Sequence, residues 1–167
     1  EKAFGYLDAH WREAKEPYAL AVIANAYLSS GRKTDVTADV LAALAKLATV
    51  EGQVAYWKTD APTFTSAKNG SADLETTALA AYALVKSGRY ADLTNKAITY
   101  LIRGKDSFGT WQTTQATVWA LKTLLLSMRQ AAQEMDGTVT VTVNGKEAAS
   151  FRITPADYDV VRQVDAR

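Results

Sequence analysis

The sequence predicts a mainly α-helical protein that forms part of an α/α toroid, followed by a short C-terminal β segment. In such a toroid, inner helices form a ring and outer helices wrap around it. Three observations predict this fold class. A short apolar pattern recurs three times, helices apolar on every side alternate with helices apolar on one side, and a strand pattern begins at Gly137.

The recurring pattern is a run of small and apolar residues, and its copies span residues 16–28, 74–84 and 113–121. Gly31 and Gly88 follow the first two copies and lie 57 positions apart, while Trp57 and Trp111 lie 54 positions apart. A repeat of this length is typical of stacked supersecondary units, none of which can bury its apolar face alone.

The copies are predicted to be helices buried on every side. Residues 18–28 contain only Asn25 as a strongly polar residue, and residues 78–85 contain none. The intervening helices are apolar on one side, with helical spacing of their apolar residues. Those stripes are Ala3, Phe4, Leu7 and Trp11, then Val36, Val40, Leu44 and Leu47, then Leu93, Ala97 and Leu101. The alternation predicts about three hairpins, which are either half of a ring or a short solenoid.

Residues that end and begin helices agree with this order. Glycine is favoured just after a helix, and aspartate is favoured at its N-terminal cap. The predicted C-terminal caps are Gly31, Gly88 and Gly104, and the predicted N-terminal caps are Asp35, Asp73 and Asp92.

The composition changes at Gly137. Residues 138–143 alternate strictly between threonine and valine, which is the period of a strand. Asn144-Gly145 predicts a tight hairpin turn, residues 151–153 a returning strand, and residues 158–164 a third strand. Two or three strands are only marginally stable alone, so we expect this segment to be the edge of a neighbouring β domain.

Bulk composition excludes several function classes. The formal net charge of +1 gives no electrostatic basis for binding nucleic acid. The 167 residues include no cysteine, which removes disulfides, thiolate metal sites and a cysteine nucleophile from this sequence. With His10 as its one histidine, a zinc site is not expected, and no cofactor is predicted. Because a helical pattern is already under way at residue 1, which is not methionine, we expect a piece of a longer chain.

Four segments in register resemble the thioester domain of the alpha-2-macroglobulin family. Residues 71–84 resemble a late inner helix of that domain, and residues 98–105 resemble its next outer helix. Residues 108–121 resemble its glycine–aromatic loop and last helix, and the β segment resembles the start of the CUB-like domain that follows. The resemblance covers most of residues 17–155.

The resemblance implies a role in protease inhibition. Members are large secreted or periplasmic endopeptidase inhibitors, related to complement components, that close around a protease after it cuts a bait segment. Many carry a Cys–Gln thioester, which this sequence lacks. The implied partners are target proteases, through the parent protein, and other domains of the same chain. The implied location is extracellular or periplasmic.

Aromatic residues before the inner helices are the candidate binding residues. Tyr56, Trp57, Phe108 and Trp111, with Phe64 nearby, are expected at one end of the ring. They could form a stacking platform for a ligand, but we favour aromatic side chains that anchor loops to the core, because such rings bury large areas.

The acidic and amide residues are candidates of a second kind. Asp60, Asp73, Glu75 and Asp106 are expected at the same end, where a toroid glycosidase would carry two carboxylates. We favour capping for Asp73 and Glu75, because negative charge is stabilising near a helix N-terminus. We expect His10 to be an ordinary helix-end histidine, and Asn25 and Gln115 to bridge neighbouring helices. Asn69-Gly70-Ser71 is a formal N-glycosylation sequon and a turn signal.

The sequence therefore predicts a non-catalytic fragment, with no catalytic, cofactor or metal residues assigned. Residues 1–136 are assigned to the toroid half and residues 137–167 to the β segment. Two other functions stay open: a fragment of a toroid enzyme, such as a glycosidase or a terpene-cyclase-like protein, and a helical-repeat binding module. Because half a ring leaves apolar helix faces uncovered, we also expect the isolated fragment to self-associate.

Overall fold

A computed structural model describes residues 2–31, 34–134, 136–156, 160, 162 and 163. The helices are α1 (Lys2–His10), α2 (Pro17–Ser29), α3 (Asp35–Lys46), α4 (Gly70–Ser87), α5 (Ala91–Arg103) and α6 (Thr114–Glu134), with a short 3₁₀ turn at Trp11–Glu13. The strands are β1 (Thr49–Glu51), β2 (Val54–Tyr56), β3 (Gly137–Val143) and β4 (Lys146–Ile153). The expected class, mainly α with a short C-terminal β segment, is confirmed.

Contacts divide the chain into two compact units, Glu1–Leu126 and Ser127–Arg167. The assignment of residues 137–167 to a neighbouring domain stays a prediction.

In the first unit, α2 and α4 pack side by side and run in the same direction. The Nδ2 of Asn25 in α2 donates to the carbonyl of Leu79 in α4 at 2.9 Å. At the C-terminal ends of both helices, the Nζ of Lys86 donates to the Oγ of Ser29 at 3.1 Å. On α6, the hydroxyl of Thr123 donates to the carbonyl of Ala78 at 3.0 Å. Polar side chains of α2 and α6 therefore bond to the backbone of α4, as helix bridges should.

The other helices pack outside this set. α3 packs mainly on α2, and α5 packs on α4 and on strand β2. The core between them contains one contiguous apolar cluster that includes Tyr27, Leu44, Trp57, Leu84 and Trp111. This alternation of inner and outer helices is compatible with the expected partial toroid.

The inner helices differ in burial. Every residue of the segment 78–85 is buried except the half-buried Tyr82, as expected. The expectation for residues 18–28 and for the third copy is wrong, because α2 leaves Val22 42% exposed and α6 leaves Leu121 46% exposed. α4 has a helix on both sides, whereas α2 and α6 each leave an apolar side open.

The predicted N-terminal caps are also wrong. Thr34, Asn69 and Tyr90 occupy those positions. The hydroxyl of Thr34 accepts the N–H of Thr37 at 3.4 Å, so a threonine performs the capping that the sequence suggested for the next residue. Asp35, Asp73 and Asp92 lie in the first turns instead, where their charge suits the helix dipole. The predicted C-terminal glycines lie where expected. Gly31 and Gly88 adopt positive φ angles just after α2 and α4, and Gly104 follows α5.

Strands β1 and β2 form a hairpin that the sequence analysis did not predict. They pair from Thr49 with Tyr56 to Glu51 with Val54, around a turn at Gly52 with a φ of +58°. The ring of Tyr56 stacks on Tyr100 of α5, with ring centroids 5.0 Å apart. This contact holds the hairpin against the outer helix.

The second unit contains the predicted hairpin. β3 and β4 pair antiparallel from Gly137 with Ile153 to Val143 with Lys146, with a register shift after Val141. The returning strand is longer than expected, since it begins at Lys146. The predicted third strand, at residues 158–164, lies largely outside the described residues.

Within the described part of the chain, no helix has both the length and the apolar composition required to cross a bilayer.

Candidate functional site

The structure separates the four candidate platform residues by exposure. Trp57 and Trp111 are completely or almost completely buried, with 0% and 1% of their surface exposed. Tyr56 is half-buried, whereas Phe108 is 89% exposed. The nearby Phe64 is also exposed. The platform stays a prediction, but the faces of its two tryptophans are covered by protein.

Both buried tryptophans make the same pair of hydrogen bonds. The indole Nε1 of Trp57 donates to the carbonyl of Leu44 in α3 at 2.7 Å, and its backbone N–H donates to the hydroxyl of Thr77 in α4 at 3.0 Å. We call this arrangement a tryptophan clamp, because one residue joins the end of an outer helix to the next inner helix.

The second tryptophan clamp repeats these bonds one hairpin later. The Nε1 of Trp111 donates to the carbonyl of Leu101 in α5 at 2.6 Å, and its backbone N–H donates to the hydroxyl of Thr117 in α6 at 3.0 Å. The late carbonyls of a helix lack N–H partners within the helix, and the Trp111 indole satisfies such a group at Leu101. The Leu44 carbonyl also accepts the backbone N–H of Leu47 at 3.1 Å, so the Trp57 indole is its second donor. The geometry agrees with the anchoring role for the two tryptophans but not for Phe108 and Phe64, whose side chains are 89% and 92% exposed.

Trp11 occupies the corresponding place in the first hairpin, between α1 and α2. It is 7% exposed, and its Nε1 is buried without a hydrogen-bond partner in the described structure. Sequence analysis placed Trp11 in the apolar stripe of α1 and missed this relation. The signal that could have found it is the order along the chain, because Trp11, Trp57 and Trp111 each lie at or after the end of a one-sided apolar stripe and before the next apolar repeat.

An apolar cleft of about 630 Å³ opens at the N-terminal ends of α2, α4 and α6. Tyr18, Glu75 and Gln115 line it from equivalent positions of the three repeats. Glu75 follows Tyr18 by 57 positions, as Gly88 follows Gly31, and Gln115 follows Glu75 by 40, as Thr117 follows Thr77. Val22, Ile23, Phe64 and Trp119 are among its apolar lining residues. Gln115 is half-buried and lines this cleft, and its expected role as a bridge between helices stays a prediction.

Glu75 is the buried charged residue of this cleft, with 1% of its surface exposed. Its Oε2 accepts the hydroxyl protons of Thr63 at 3.1 Å and Thr65 at 3.0 Å. The Tyr18 hydroxyl also hydrogen-bonds to Glu75. None of the ion pairs found among the described residues involves Glu75. Neutral hydroxyl donors therefore replace the cation that a buried carboxylate usually requires.

Burial and the nearby Glu75 carboxylate raise the pKa of the Tyr18 hydroxyl. Desolvation of the phenol is the largest cause that raises its pKa, and the charge of Glu75 and the hydrogen bond to it raise the pKa further. The backbone N–H of Phe64 donates to the phenol and opposes this effect. Tyr18 therefore stays protonated near neutral pH and acts as a hydrogen-bond donor.

The remaining acids have separate structural tasks. The carboxylate of Asp73 accepts the backbone N–H of Thr59 at 3.0 Å, and lines a polar cleft together with the exposed Asp60. Asp106 accepts the backbone N–H groups of Phe108 and Thr110 and the Thr110 hydroxyl. The Thr110 hydroxyl is the largest cause that lowers the pKa of Asp106. These contacts close the loop before α6.

In the described part of the chain, neither His10 nor a cluster of metal-ligating side chains provides a further site. The Nδ1 of His10 lies 2.8 Å from the carbonyl of Tyr6, and its ring stacks on the Tyr6 ring. Over the described residues, no three side chains from His, Cys, Asp and Glu are grouped as ligands for a metal ion. The chemistry that the geometry offers is an apolar cleft with a buried, hydroxyl-bound carboxylate.

Comparison with known proteins agrees with this architecture. No curated protein matches the chain. A protein-family model described as the A-macroglobulin TED domain matches residues 1–126, the same range as the helical unit. The match covers most of the sequence and contains both tryptophan clamps and the cleft. The chain therefore belongs to the A-macroglobulin TED domain family.

Proposed function

We propose that this chain is a non-catalytic, structural part of the thioester domain of an alpha-2-macroglobulin-like endopeptidase inhibitor. The observation that carries this proposal is the repeated tryptophan clamp. It binds an outer helix to the next inner helix through the same pair of hydrogen bonds in two successive hairpins. We expect a stack of helices joined in this way to move as one body. That property suits a wall that shifts position when the inhibitor closes around a protease.

The open apolar sides of α2 and α6 support an assembly role. Val22 and Leu121 are 42% and 46% exposed on helices whose other sides are buried. In the parent protein, other segments of the same chain cover these sides and complete the ring. In the proposed arrangement, residues 137–167 start the CUB-like domain that follows.

In this proposal, any covalent chemistry of the inhibitor takes place in parts of the parent protein outside this sequence. A Cys–Gln thioester cannot form within a sequence that contains no cysteine. The hydroxyl-bound Glu75 serves the packing of the cleft in this proposal. The proposed location of the parent is extracellular or periplasmic, and its proposed partners are endopeptidases.

The test is a protease-trapping assay on the full-length parent protein. An endopeptidase is incubated with the parent, and its activity is measured on a large protein substrate and on a small peptide substrate. A trap should suppress cleavage of the large substrate and leave cleavage of the small one largely intact. Equal activity on both substrates, with and without the parent, would contradict the proposal.

A second measurement tests the non-catalytic assignment on the present chain. The chain is incubated with labelled methylamine and with a panel of glycosides. We expect neither covalent label nor turnover, because no nucleophile–base pair is arranged in the described structure. Turnover of a glycoside would favour the toroid-enzyme alternative instead.

A further inference from the structure

Asn69 is the residue in the least usual backbone conformation at the start of an inner helix. It precedes Gly70, the first residue of α4, and its φ and ψ are +52° and −137°. Positive φ is unfavourable for residues with a side chain, so this conformation persists only where the surrounding structure holds it. Both residues are exposed.

This ψ angle brings two reactive groups of Asn69-Gly70 together. Tetrahedral geometry at Cα places Cβ about 120° from the backbone nitrogen around the Cα–C bond, so a ψ of about −120° eclipses Cβ with the nitrogen of the next residue. The observed ψ of −137° is therefore close to that eclipsed arrangement. The side-chain carbonyl carbon, Cγ, can then approach the Gly70 nitrogen, as ring closure requires.

Nothing in the described structure holds these groups apart. The Asn69 side chain makes no capping hydrogen bond, and no backbone hydrogen bond involves the Gly70 N–H. Gly70 has no Cβ of its own, and no atom from another part of the chain lies within 4 Å of where a Cβ would be. Since both residues are also exposed, no neighbouring segment covers the Asn69-Gly70 pair.

We propose that Asn69-Gly70 is a site of spontaneous modification, in which the chain converts Asn69 to aspartate or isoaspartate. The Gly70 nitrogen attacks Cγ of Asn69, the bond from Cγ to Nδ2 breaks, and the amide leaves as ammonia with the proton from Gly70. Water then adds to either carbonyl of the five-membered succinimide and opens it. The net reaction consumes one water, releases one ammonia and changes no oxidation state.

The product alters the start of α4. A carboxylate at this position interacts favourably with the N-terminal end of the helix dipole. Opening the ring at the other carbonyl gives isoaspartate, which adds a methylene to the backbone. The Asn69 carbonyl accepts the N–H of Asp73 at 3.0 Å, so the added methylene displaces the acceptor of the first helical hydrogen bond. The same Nδ2 is the acceptor atom of the glycosylation sequon, and its loss ends any glycosylation there.

The second Asn-Gly pair in the chain is a natural control. Asn144 and Gly145 form the two-residue turn between β3 and β4, with φ angles of +53° and +77°. Two positive φ angles in such a loop define a type I′ turn, in which ψ of the first residue is about +30°. The Gly145 nitrogen then lies far from the Asn144 side chain around the same bond. Identical dipeptides thus differ in conformation.

The experiment incubates the full chain in mildly alkaline buffer and follows both pairs by peptide mapping with mass spectrometry. In the folded protein, we expect Asn69 to lose its amide at least about tenfold faster than Asn144, because only Asn69 is held near the reactive geometry. In denaturant, the ratio should fall to about one. Equal rates in the folded protein, or a faster reaction at Asn144, would overturn the proposal.

Gly70→Ala separates the proposed attack from simple exposure of Asn69. The added Cβ meets no neighbouring atom, so the variant should fold. A methyl group next to the attacking nitrogen should slow the reaction at Asn69 by about tenfold and leave Asn144 unchanged. An unchanged rate at Asn69 in this variant would show that the Gly70 nitrogen is not the attacking group.

Discussion

Replacing Trp111 with alanine should destabilise the helical unit strongly. A buried aromatic side chain removes about 150–250 Å² from water, which corresponds to about 4–6 kcal/mol at about 25 cal/mol per Å². An extended unfolded reference overstates such areas by roughly 10–40%, so about 3–5 kcal/mol is the expected loss, in line with measured truncations of this size. Because Trp111 is only 1% exposed, nearly the whole ring contributes.

Three further variants separate the contributions of buried area, the indole donor and the position in the fold. Trp111→Phe keeps much of the apolar area but removes the donor to the Leu101 carbonyl, and should cost about 1–3 kcal/mol. Phe108→Ala changes an 89% exposed ring in the same loop, and should shift stability by no more than about 0.5 kcal/mol. Trp57→Ala should resemble Trp111→Ala, because the bonds of the two tryptophans correspond.

The assay is denaturant unfolding, in which the midpoint and the slope are compared for all four variants. If the tryptophans anchor helices, the denaturant midpoint should fall further the more buried area and the more hydrogen-bond donors a variant loses. If Trp111→Ala keeps the midpoint of the original chain while a sugar or peptide ligand loses affinity, the reasoning is refuted and Trp111 belongs to a binding platform.

Three further predictions concern the open helix sides, the cleft and the loop before α6. Leu121→Lys should weaken the self-association of the isolated chain, measured by light scattering at several concentrations, because Leu121 lies on an open apolar side. A strict monomer in the unmodified chain would argue against the half-ring. Glu75→Gln should cost about 1–2 kcal/mol, the difference between charged and neutral hydrogen bonds, and should lower the pKa of Tyr18 in a spectroscopic titration. Because the pKa of Asp106 is lowered in the fold, its loop contacts are complete above the ordinary value of 3.8 and are lost as the pH falls through the lowered value. The protection factor of the Thr110 amide against hydrogen exchange should report that loss, and Asp106→Asn should remove the pH dependence of that protection factor.

The fold class followed from the apolar repeat, because period and composition are local properties of a sequence. Asn144-Gly145 likewise predicted its turn, since positive φ angles at both positions require such residues. Which helices are buried on every side could not be predicted from the sequence. The compositions of residues 18–28 and 78–85 are similar, yet only the second segment is covered on both sides, and that depends on neighbours rather than on the segment itself.

The candidate site was only partly predictable for the same reason. Glu75 was interpreted as a capping residue, because an acid early in a helix suits the dipole. The structure instead buries its carboxylate under hydroxyls from Thr63 and Thr65, which lie ten or more positions earlier. Short strands β1 and β2 were missed because three residues each are too few to show an alternating pattern.

The two tryptophan clamps differ in the length of chain that lies between each tryptophan and the threonine to which it donates. Thr77 lies 20 positions after Trp57, whereas Thr117 lies 6 positions after Trp111. The same two bonds thus tolerate a loop of very different length, so the spacing between helices does not depend on the connection. The longer connection is free to carry other groups, and it holds Thr63, Thr65 and Asn69. New surface can therefore be inserted at this end of the helices without altering how the helices stack.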